Sequence, residues 1–348
     1  MLKARSVEHA FRFSRRNLLA LLAGGVLVMA APSAFAAAAP PLRVVASFSV
    51  LGDMVREIGG EHVSLTTIVG PNGDAHSFEP TPKDAKALAQ AQVLVINGLD
   101  FEGWLPRLIQ AAGFSGAQVL ASRGVALRHL SDAERAGEVL GRHAQQSTPS
   151  AGHGAQDHGA AHAAHAGHDH GDVDPHAWQS LGNGAIYAKN IADGLSQADP
   201  KRRAYYQERA QGYIAQMKKL DTEIKQAFAD IPESRRKVIT SHDAFGYFAQ
   251  AYGIQFVSVA GFSNEAEPSA REVAAIIDRA RDEHISGVFI ENTTNSKVIQ
   301  QIARETKAKV GGTLYSDALA PPDQPAATYL GMFSWNAGQL IYVLNPSP

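Results

Sequence analysis

Histidine is the residue type that offers this chain its most evident chemistry. Between Gly152 and Gly171 the sequence reads GHGAQDHGAAHAAHAGHDHG, and six of these residues are histidines: His153, His158, His162, His165, His168 and His170. The others are mostly Gly and Ala, so the segment has no large apolar side chain to bury, and we expect a disordered loop. Imidazole is a common ligand of divalent metals, and His-rich tracts are typical of metal binding. We expect this tract to collect metal loosely, with a solvated linker of no selected affinity as the alternative.

Four further side chains occur where an α/β fold places its ligands. His76 follows a predicted strand across the turn Gly70–Gly73, and His242 follows a second predicted strand. His176 stands directly after the His-rich tract, and Asp317 follows the last predicted strand. Ligands of open α/β sheets bind beyond the carboxyl ends of the strands, and three imidazoles with one carboxylate suit Zn²⁺. The sequence therefore predicts a separate metal site made by His76, His176, His242 and Asp317.

The composition is that of a globular protein, and it excludes several kinds of site. The chain has 348 residues, of which 45% are hydrophobic and 19% charged, and it contains no cysteine. Disulfides, thiolate zinc sites and cysteine nucleophiles are therefore excluded, which leaves histidines and carboxylates as the strong metal ligands. A secreted zinc enzyme is the rival interpretation, but neither HExxH nor HxxEH occurs. We expect a protein that is not an enzyme.

The N-terminus has the features of a signal peptide. Arg15 and Arg16 precede an apolar run of 14 residues, Leu18–Ala31, which is shorter than a bilayer span. Ala34-Phe35-Ala36 then offers a cleavage site, so we expect cleavage near Ala36 and export to a periplasm by the Tat or the Sec route. No cysteine is available there for a lipid anchor, so we expect the mature protein to be free in that compartment.

The charge of the mature chain bears on its partners. Residues 1–36 hold five basic residues and one acidic residue, so the remainder keeps 27 basic residues against 33 acidic ones, a formal charge of −6. A mildly acidic chain argues against nucleic acid as a partner. It also modestly favours the approach of cations.

Short apolar strands alternate with helical stretches on both sides of one long helix. Residues 201–229 carry apolar side chains at spacings of three and four, which predicts an amphipathic helix. Alternating strands and helices are typical of a parallel sheet covered on both faces. We predict an α/β fold with two lobes, each a mostly parallel four-stranded sheet flanked by helices, joined by one long spine helix. The predicted strands are 43–48, 63–69, 93–96 and 118–120, then 237–240, 255–259, 287–290 and 308–311.

The domain organisation follows from this pattern. We predict a signal peptide over 1–36, an N-terminal lobe over 37–199 with the disordered His-rich loop at 143–171, a linking helix over 200–230 and a C-terminal lobe over 231–348. Each lobe contributes two of the four candidate ligands, so we expect the site in the cleft between the lobes. Because a single stiff helix joins the lobes, we expect small motions rather than a wide closure.

Three motifs resemble those of a known family. They look like the metal-site motifs of the periplasmic metal-binding proteins of ABC importers, and specifically of the zinc-binding (ZnuA-like) branch. The resemblance runs from about Leu42 to about Leu344 and includes the His-rich insertion. One departure is Ala75, which stands where a proline is common before the first ligand. The motifs are GPNGDAHSFEPTPKD at Gly70–Asp84, DPHAW at Asp174–Trp178 and TSHDAFGYF at Thr240–Phe248.

The resemblance implies a ligand set, a metal and a partner. It implies that His76, His176 and His242 bind metal and that Asp317 stands where the family keeps its carboxylate ligand. Manganese- and iron-binding relatives usually carry a carboxylate at the position of His242, which favours zinc here. The implied function is to capture Zn²⁺ and deliver it to the membrane permease of an ABC importer, and we expect a monomer. The alternatives are a manganese- or iron-binding homologue and a periplasmic zinc buffer or chaperone.

Three residues in or beside the motifs each have two alternative roles. Glu79 and Asp243 could orient ligand imidazoles through the second ring nitrogen, or could form surface ion pairs. Trp178 could shield the site from water, or belong to the core.

Overall fold

The computed structural model describes residues 39–130, 172–260 and 268–345. The predicted signal peptide and the six histidines of the tract lie outside these residues. The elements of both lobes belong to one compact unit of the chain, Pro40–Pro348. No helix within the described ranges is both long enough and apolar enough to cross a membrane.

The first lobe is built on a parallel sheet with the strand order β2-β1-β3-β4. The strands are short, and most of their apolar side chains are buried in the core, as the apolar runs in the sequence predict. The helices of this lobe follow the strands, so the loops at the carboxyl ends of the strands lie together at one edge. The strands are β1 Leu42–Phe48, β2 Val63–Val69, β3 Val93–Ile96 and β4 Ala117–Leu120, and the helices are α1 Ser49–Gly59, α2 Pro82–Ala89 and α3 Leu105–Ala112.

Two long helices follow the first sheet. Helix α4 is Leu181–Ala198, and helix α5 is Arg203–Ala229, the spine helix predicted over 201–229. At 1.5 Å per residue, the 27 residues of α5 span about 40 Å. The buried side chains of α5 recur every three or four residues, which places them on one face. The helix packs against α1 and α4 and also against two helices of the second lobe, Gly246–Tyr252 and Tyr329–Leu344.

The second lobe repeats the arrangement with the parallel order β6-β5-β7-β8. Its last two strands have two residues each, shorter than the predicted 287–290 and 308–311. The pairing breaks at Gly311-Gly312-Thr313 and resumes where Glu291 forms an isolated parallel bridge with Leu314. Two consecutive glycines interrupt the ladder because they offer no side chains to pack on the sheet. The strands are β5 Lys237–Thr240, β6 Gln255–Ser258, β7 Gly287–Val288 and β8 Lys309–Val310, and the helices are α6 Gly246–Tyr252, α7 Ala270–Asp282, α8 Lys297–Thr306 and α9 Tyr329–Leu344.

The hydrophobic core does not divide evenly between the lobes. The larger cluster of buried side chains combines the first sheet, α1, α4 and α5 with α6 and α9. A smaller cluster lies between the second sheet, α7 and α8. Helix α9 is also fastened to the first lobe by a hydrogen bond, in which the backbone N–H of Tyr329 donates to Asp53 Oδ2 at 2.8 Å. The last helix of the chain therefore shares its core with the first lobe.

Candidate metal centre

The loop after β2 positions His76. Asp74 Oδ1 accepts a hydrogen bond from the backbone N–H of His76 at 2.9 Å, and Asp74 Oδ2 accepts one from Ser77 Oγ at 2.8 Å. An aspartate that bonds the backbone two residues later stabilises a local turn. From the other side, Trp104 Nε1 donates to the carbonyl of Ala75 at 2.8 Å. The chain on the N-terminal side of His76 is therefore held from two directions.

The chain around His176 repeats this device. Asp174 Oδ1 accepts from the backbone N–H of His176 at 2.9 Å and also lies 2.9 Å from His176 Nδ1. Asn97 Nδ2 donates to the carbonyl of Pro175 at 3.0 Å. Arg128 Nη1 lies 3.0 Å from Asp174 Oδ2. A carboxylate that accepts from Nδ1 leaves Nε2 as the nitrogen available to a metal.

Glu291 performs the corresponding role for His242, which lies just beyond β5. Its Oε1 accepts from the backbone N–H groups of Ser241 at 2.8 Å and His242 at 3.0 Å. Its Oε2 lies 2.7 Å from His242 Nδ1. His242 Nε2 is thereby directed toward Asp317, 3.0 Å from Oδ2 of that residue.

The loop that carries Asp317 is fastened to the first lobe on both sides. Trp178 Nε1 and Gln179 Nε2 donate to the carbonyl of Ser316, at 2.9 Å and 2.6 Å. The backbone N–H of Leu319 donates to Ser49 Oγ at 2.9 Å. Asp317 therefore belongs to the second lobe by sequence, while its position is fixed by the first.

These four side chains converge on one point. His76 Nε2 lies 3.2 Å from His176 Nε2. Asp317 Oδ2 lies 3.0 Å from His242 Nε2 and 3.5 Å from His76 Nε2, and Asp317 Oδ1 lies 3.6 Å from His176 Nε2. One donor atom from each residue lies within 4.8 Å of all the others. His76 is 5% exposed and the other three are fully buried, so water does not compete freely at this point.

Aromatic side chains cover the cluster on the side of the first lobe. The ring centroid of Phe101 lies 4.6 Å from that of His76, and the centroid of Trp178 lies 5.3 Å from that of His176. Phe48 packs against both Phe101 and Trp178. Trp178 is fully buried, so it is part of the core and also covers the cluster. An apolar wall strengthens electrostatic interactions within the site because it lowers the local dielectric constant.

The charges within the cluster act strongly on two of its members. Burial alone would lower the pKa of His242, but the carboxylates of Glu291 and Asp317 outweigh burial and hold that pKa well above its usual value. Burial alone would raise the pKa of Asp317, but His242, His176 and His76 outweigh it and hold that pKa well below its usual value. Asp317 is therefore ionised, and a metal ion that binds must displace a proton held on His242.

The structure brings together all four of the predicted ligands, and their binding of metal stays a prediction. The six tract histidines lie outside the described residues. The carboxylates found behind the ligand rings are Asp174 and Glu291, whereas Glu79 is exposed. The pattern Asp-x-His occurs twice in the sequence, as Asp74 before His76 and as Asp174 before His176. This repeat is a signal from which Asp174 could have been identified. Glu291 gave no such signal, because it is 49 residues away from His242.

Comparison with known families decides the class of the protein. The family described as zinc-uptake complex component A, periplasmic (ZnuA), matches residues 44–342. The chain belongs to this family. The resemblance seen in the three sequence motifs is therefore confirmed, and the class is that of substrate-binding transport proteins.

Individual relatives share both the sequence and the fold. The manganese ABC transporter substrate-binding lipoprotein PsaA of Streptococcus pneumoniae is 27% identical, over 94% of this chain and 97% of its own. The iron ABC transporter substrate-binding lipoprotein MtsA of Streptococcus pyogenes serotype M1 is also 27% identical, over 86% of this chain and 87% of its own. The structure of the Mn-bound S38A mutant of a periplasmic metal-binding protein from Candidatus Liberibacter asiaticus is similar, with a TM-score of 0.71, 26% identity, and coverage of 87% of this chain and 99% of that one. The predicted fold class is confirmed by this match.

Proposed function

We propose that this protein captures Zn²⁺ in the cluster of His76, His176, His242 and Asp317 and delivers it to the permease of an ABC importer. The observation that carries the proposal is the close approach of the donor atoms: four of their separations run from 3.0 to 3.6 Å, and one donor atom from each residue lies within 4.8 Å of all the others. A tetrahedral Zn²⁺ ion with ligand bonds of about 2.0–2.1 Å has ligands about 3.3 Å apart. These four separations are therefore close to the spacing that such an ion requires.

The choice of metal rests on the donor set. Three imidazole nitrogens and one carboxylate suit Zn²⁺, whereas harder ions such as Mn²⁺ favour more oxygen ligands. Import of manganese or iron is the second candidate, and it is supported by the printed names of the relatives PsaA and MtsA. Affinity alone does not separate these candidates, because Zn²⁺ binds most nitrogen and oxygen sites more tightly than Mn²⁺ or Fe²⁺.

Metal uptake by cells separates them. Cells that lack the gene, complemented with the wild-type protein or with a variant carrying His76→Ala and His242→Ala, would be supplied with trace zinc, manganese or iron. We expect zinc uptake to be lost without the gene and with the variant, while manganese and iron uptake are unchanged. Loss of manganese or iron uptake instead would favour the second candidate. Undiminished uptake of every metal would favour a periplasmic zinc buffer or chaperone.

The His-rich loop has an accessory role in this proposal. The segment 131–171 begins and ends at one antiparallel contact, where the backbone N–H of Leu130 donates to the carbonyl of Asp172 at 2.9 Å and His129 pairs with Val173. Asp174, the next residue along, contacts the ring of His176. Metal held by the six histidines of the tract would thus be tethered beside the cluster, which raises its local concentration there.

The protein's location and domain organisation are also part of the proposal. We propose that residues 1–36 are removed on export by the Tat or the Sec route and that the mature protein works as a monomer in the periplasm. The proposed domains are the lobes 37–199 and 231–348 and the linking helix 200–230. The permease and a divalent metal ion are its partners.

A further inference from the structure

Glu291 is a buried carboxylate that does not belong to the four-residue cluster but controls one of its members. It is 1% exposed. One of its oxygens accepts from two backbone N–H groups, at 2.8 Å and 3.0 Å, and the other lies 2.7 Å from His242 Nδ1. A single side chain therefore hydrogen-bonds the backbone at His242 and lies at ion-pair distance from its ring. A carboxylate at Nδ1 keeps the proton on that nitrogen and directs the lone pair of Nε2 to the cluster.

The residues next to Glu291 also contact the chain on both sides of Asp317, the second ligand of the same lobe. Glu291 forms a parallel bridge with Leu314, and the backbone N–H of Asn292 donates to the carbonyl of Leu314 at 3.1 Å. Asn292 Nδ2 donates to the carbonyl of Ala318 at 3.2 Å, next to Asp317. One short segment therefore contacts His242 through the Glu291 side chain, and the chain around Asp317 through the backbone and side chain of Asn292.

The carboxylates behind the two histidine rings differ in charge compensation. Asp174, behind His176, has the guanidinium of Arg128 at 3.0 Å. Within the part of the chain that the structure describes, no lysine or arginine lies within ion-pair distance of Glu291, whose charged neighbour is His242. The ionic contacts of Asp317 are likewise all with histidines. Asp317 and Glu291, the two carboxylates in contact with His242, thus have ionic contacts with histidine only, and their two charges match those of a divalent cation.

We infer that Glu291 is a positioning residue that orients His242 and supplies the second negative charge that makes the cluster selective for divalent over monovalent cations. This inference rests on the proposed function and specifies how the site recognises its ion. Because the Coulomb energy is proportional to the product of the charges, loss of the charge on Glu291 weakens the binding of a divalent ion about twice as much, in free energy, as that of a monovalent ion.

The test compares Zn²⁺ with Ag⁺, a monovalent ion that imidazole also binds. Affinities would be measured by competition with chelators, in nitrate buffers, for the protein without Gly152–Gly171 and for its Glu291→Gln, Glu291→Asp and Asp53→Asn variants. Glu291→Gln preserves size and removes charge. We expect its Zn²⁺ affinity to fall by about 10- to 100-fold, the range typical for outer partners of metal ligands, and its Ag⁺ affinity to fall by about the square root of that factor.

The two other variants serve as controls. Glu291→Asp keeps the charge but shortens the side chain, so we expect weaker binding of both ions with the wild-type Zn²⁺/Ag⁺ ratio. Asp53→Asn changes another buried carboxylate that accepts a backbone N–H but contacts none of the four ligands. We expect both affinities to stay as in the wild type.

Four results would overturn the inference. Equal losses for Zn²⁺ and Ag⁺ in Glu291→Gln would show a purely positional role, and unchanged Zn²⁺ affinity would remove even that role. A changed ratio in Glu291→Asp would contradict the charge argument, and this variant decides the matter if Glu291→Gln does not fold. An equal change of the ratio in Asp53→Asn would show that any buried carboxylate has this effect. A wild-type cluster with no tight zinc site would instead refute the proposed function itself.

Discussion

The protonation of His242 bears directly on metal binding by the cluster. Two carboxylates hold its pKa well above the usual value for a histidine, so near neutral pH the metal-free protein keeps a proton where the metal must bind. A raised pKa means that protons compete more strongly as the pH falls.

This predicts a steep pH dependence of zinc affinity. Between pH 7.5 and pH 5.5 we expect affinity to fall by about tenfold or more per pH unit, since at least one proton is released for each ion bound. Chelator competition at several pH values measures the slope. The same titration in two buffers with different heats of ionisation would count the protons released. A flat profile would be incompatible with a site of three histidines.

At the scale of single residues, the sequence predicts the four residues of the cluster but not Glu291, the carboxylate that supports His242. His76 and His176 are each preceded by an aspartate two residues earlier, a local pattern that can be read from the chain. Glu291 and His242 are brought together only by the pairing of β5 with β7. Contacts of this kind depend on the register of the second sheet, which no local pattern of residues specifies.

Helix α9 is joined to α1 by one buried carboxylate. Asp53 accepts from the backbone N–H of Tyr329 and lies 3.2 Å from Arg56 Nη1. Burial raises the pKa of Asp53 from 3.8 to about 6, against the opposing effects of the Tyr329 N–H and of Arg56. An acid whose pKa is raised by folding stabilises the folded state at low pH, and this contribution is lost as the pH rises through the folded-state value.

Asp53→Asn should therefore flatten the pH dependence of stability. Between pH 5 and pH 7 we expect the metal-free wild type to lose about 1 kcal/mol more stability than the variant, because the variant has no group to ionise at this position. Urea unfolding at both pH values measures the difference. If the wild type and the variant respond equally to pH, Asp53 does not ionise across this range.

The elements differ in how far the sequence determines them. The spine helix has an unbroken apolar pattern over 27 residues, and its bounds are within two residues of the prediction. Strands β7 and β8 are shorter than predicted, because Gly311-Gly312 breaks the ladder that the flanking apolar residues would otherwise continue. A periodic pattern over many residues still predicts the helix when single residues depart from it. In a strand of four residues, one departure is enough to change the observed length.

At the scale of the whole molecule, the contacts between the lobes limit how far they can move. The larger core includes α9 together with the first sheet, and the loop of Asp317 is bonded to Ser49, Trp178 and Gln179 of the first lobe. A second, smaller core cluster includes Ile239 of β5, the strand that leads to His242. Release of metal is therefore expected to displace the part of the second lobe around His242 by a small amount.

Small-angle X-ray scattering tests this expectation. A chain of about 300 residues has a radius of gyration of about 20 Å, and we expect zinc-loaded and metal-free forms of the variant without Gly152–Gly171 to differ by less than about 5% of that value. A larger expansion in the metal-free form would indicate a wide hinge motion and contradict the role assigned to the shared core.

The measurement that tests the central claim most directly is a calorimetric titration of zinc into the metal-free mature protein and into the variant lacking Gly152–Gly171. The account predicts that the variant keeps one tight site per chain and loses only weaker sites, because His76, His176, His242 and Asp317 form the tight site by themselves. If the deletion abolishes tight binding, the His-rich tract holds the metal, the four-residue cluster is not the zinc site, and a buffering role becomes the better explanation.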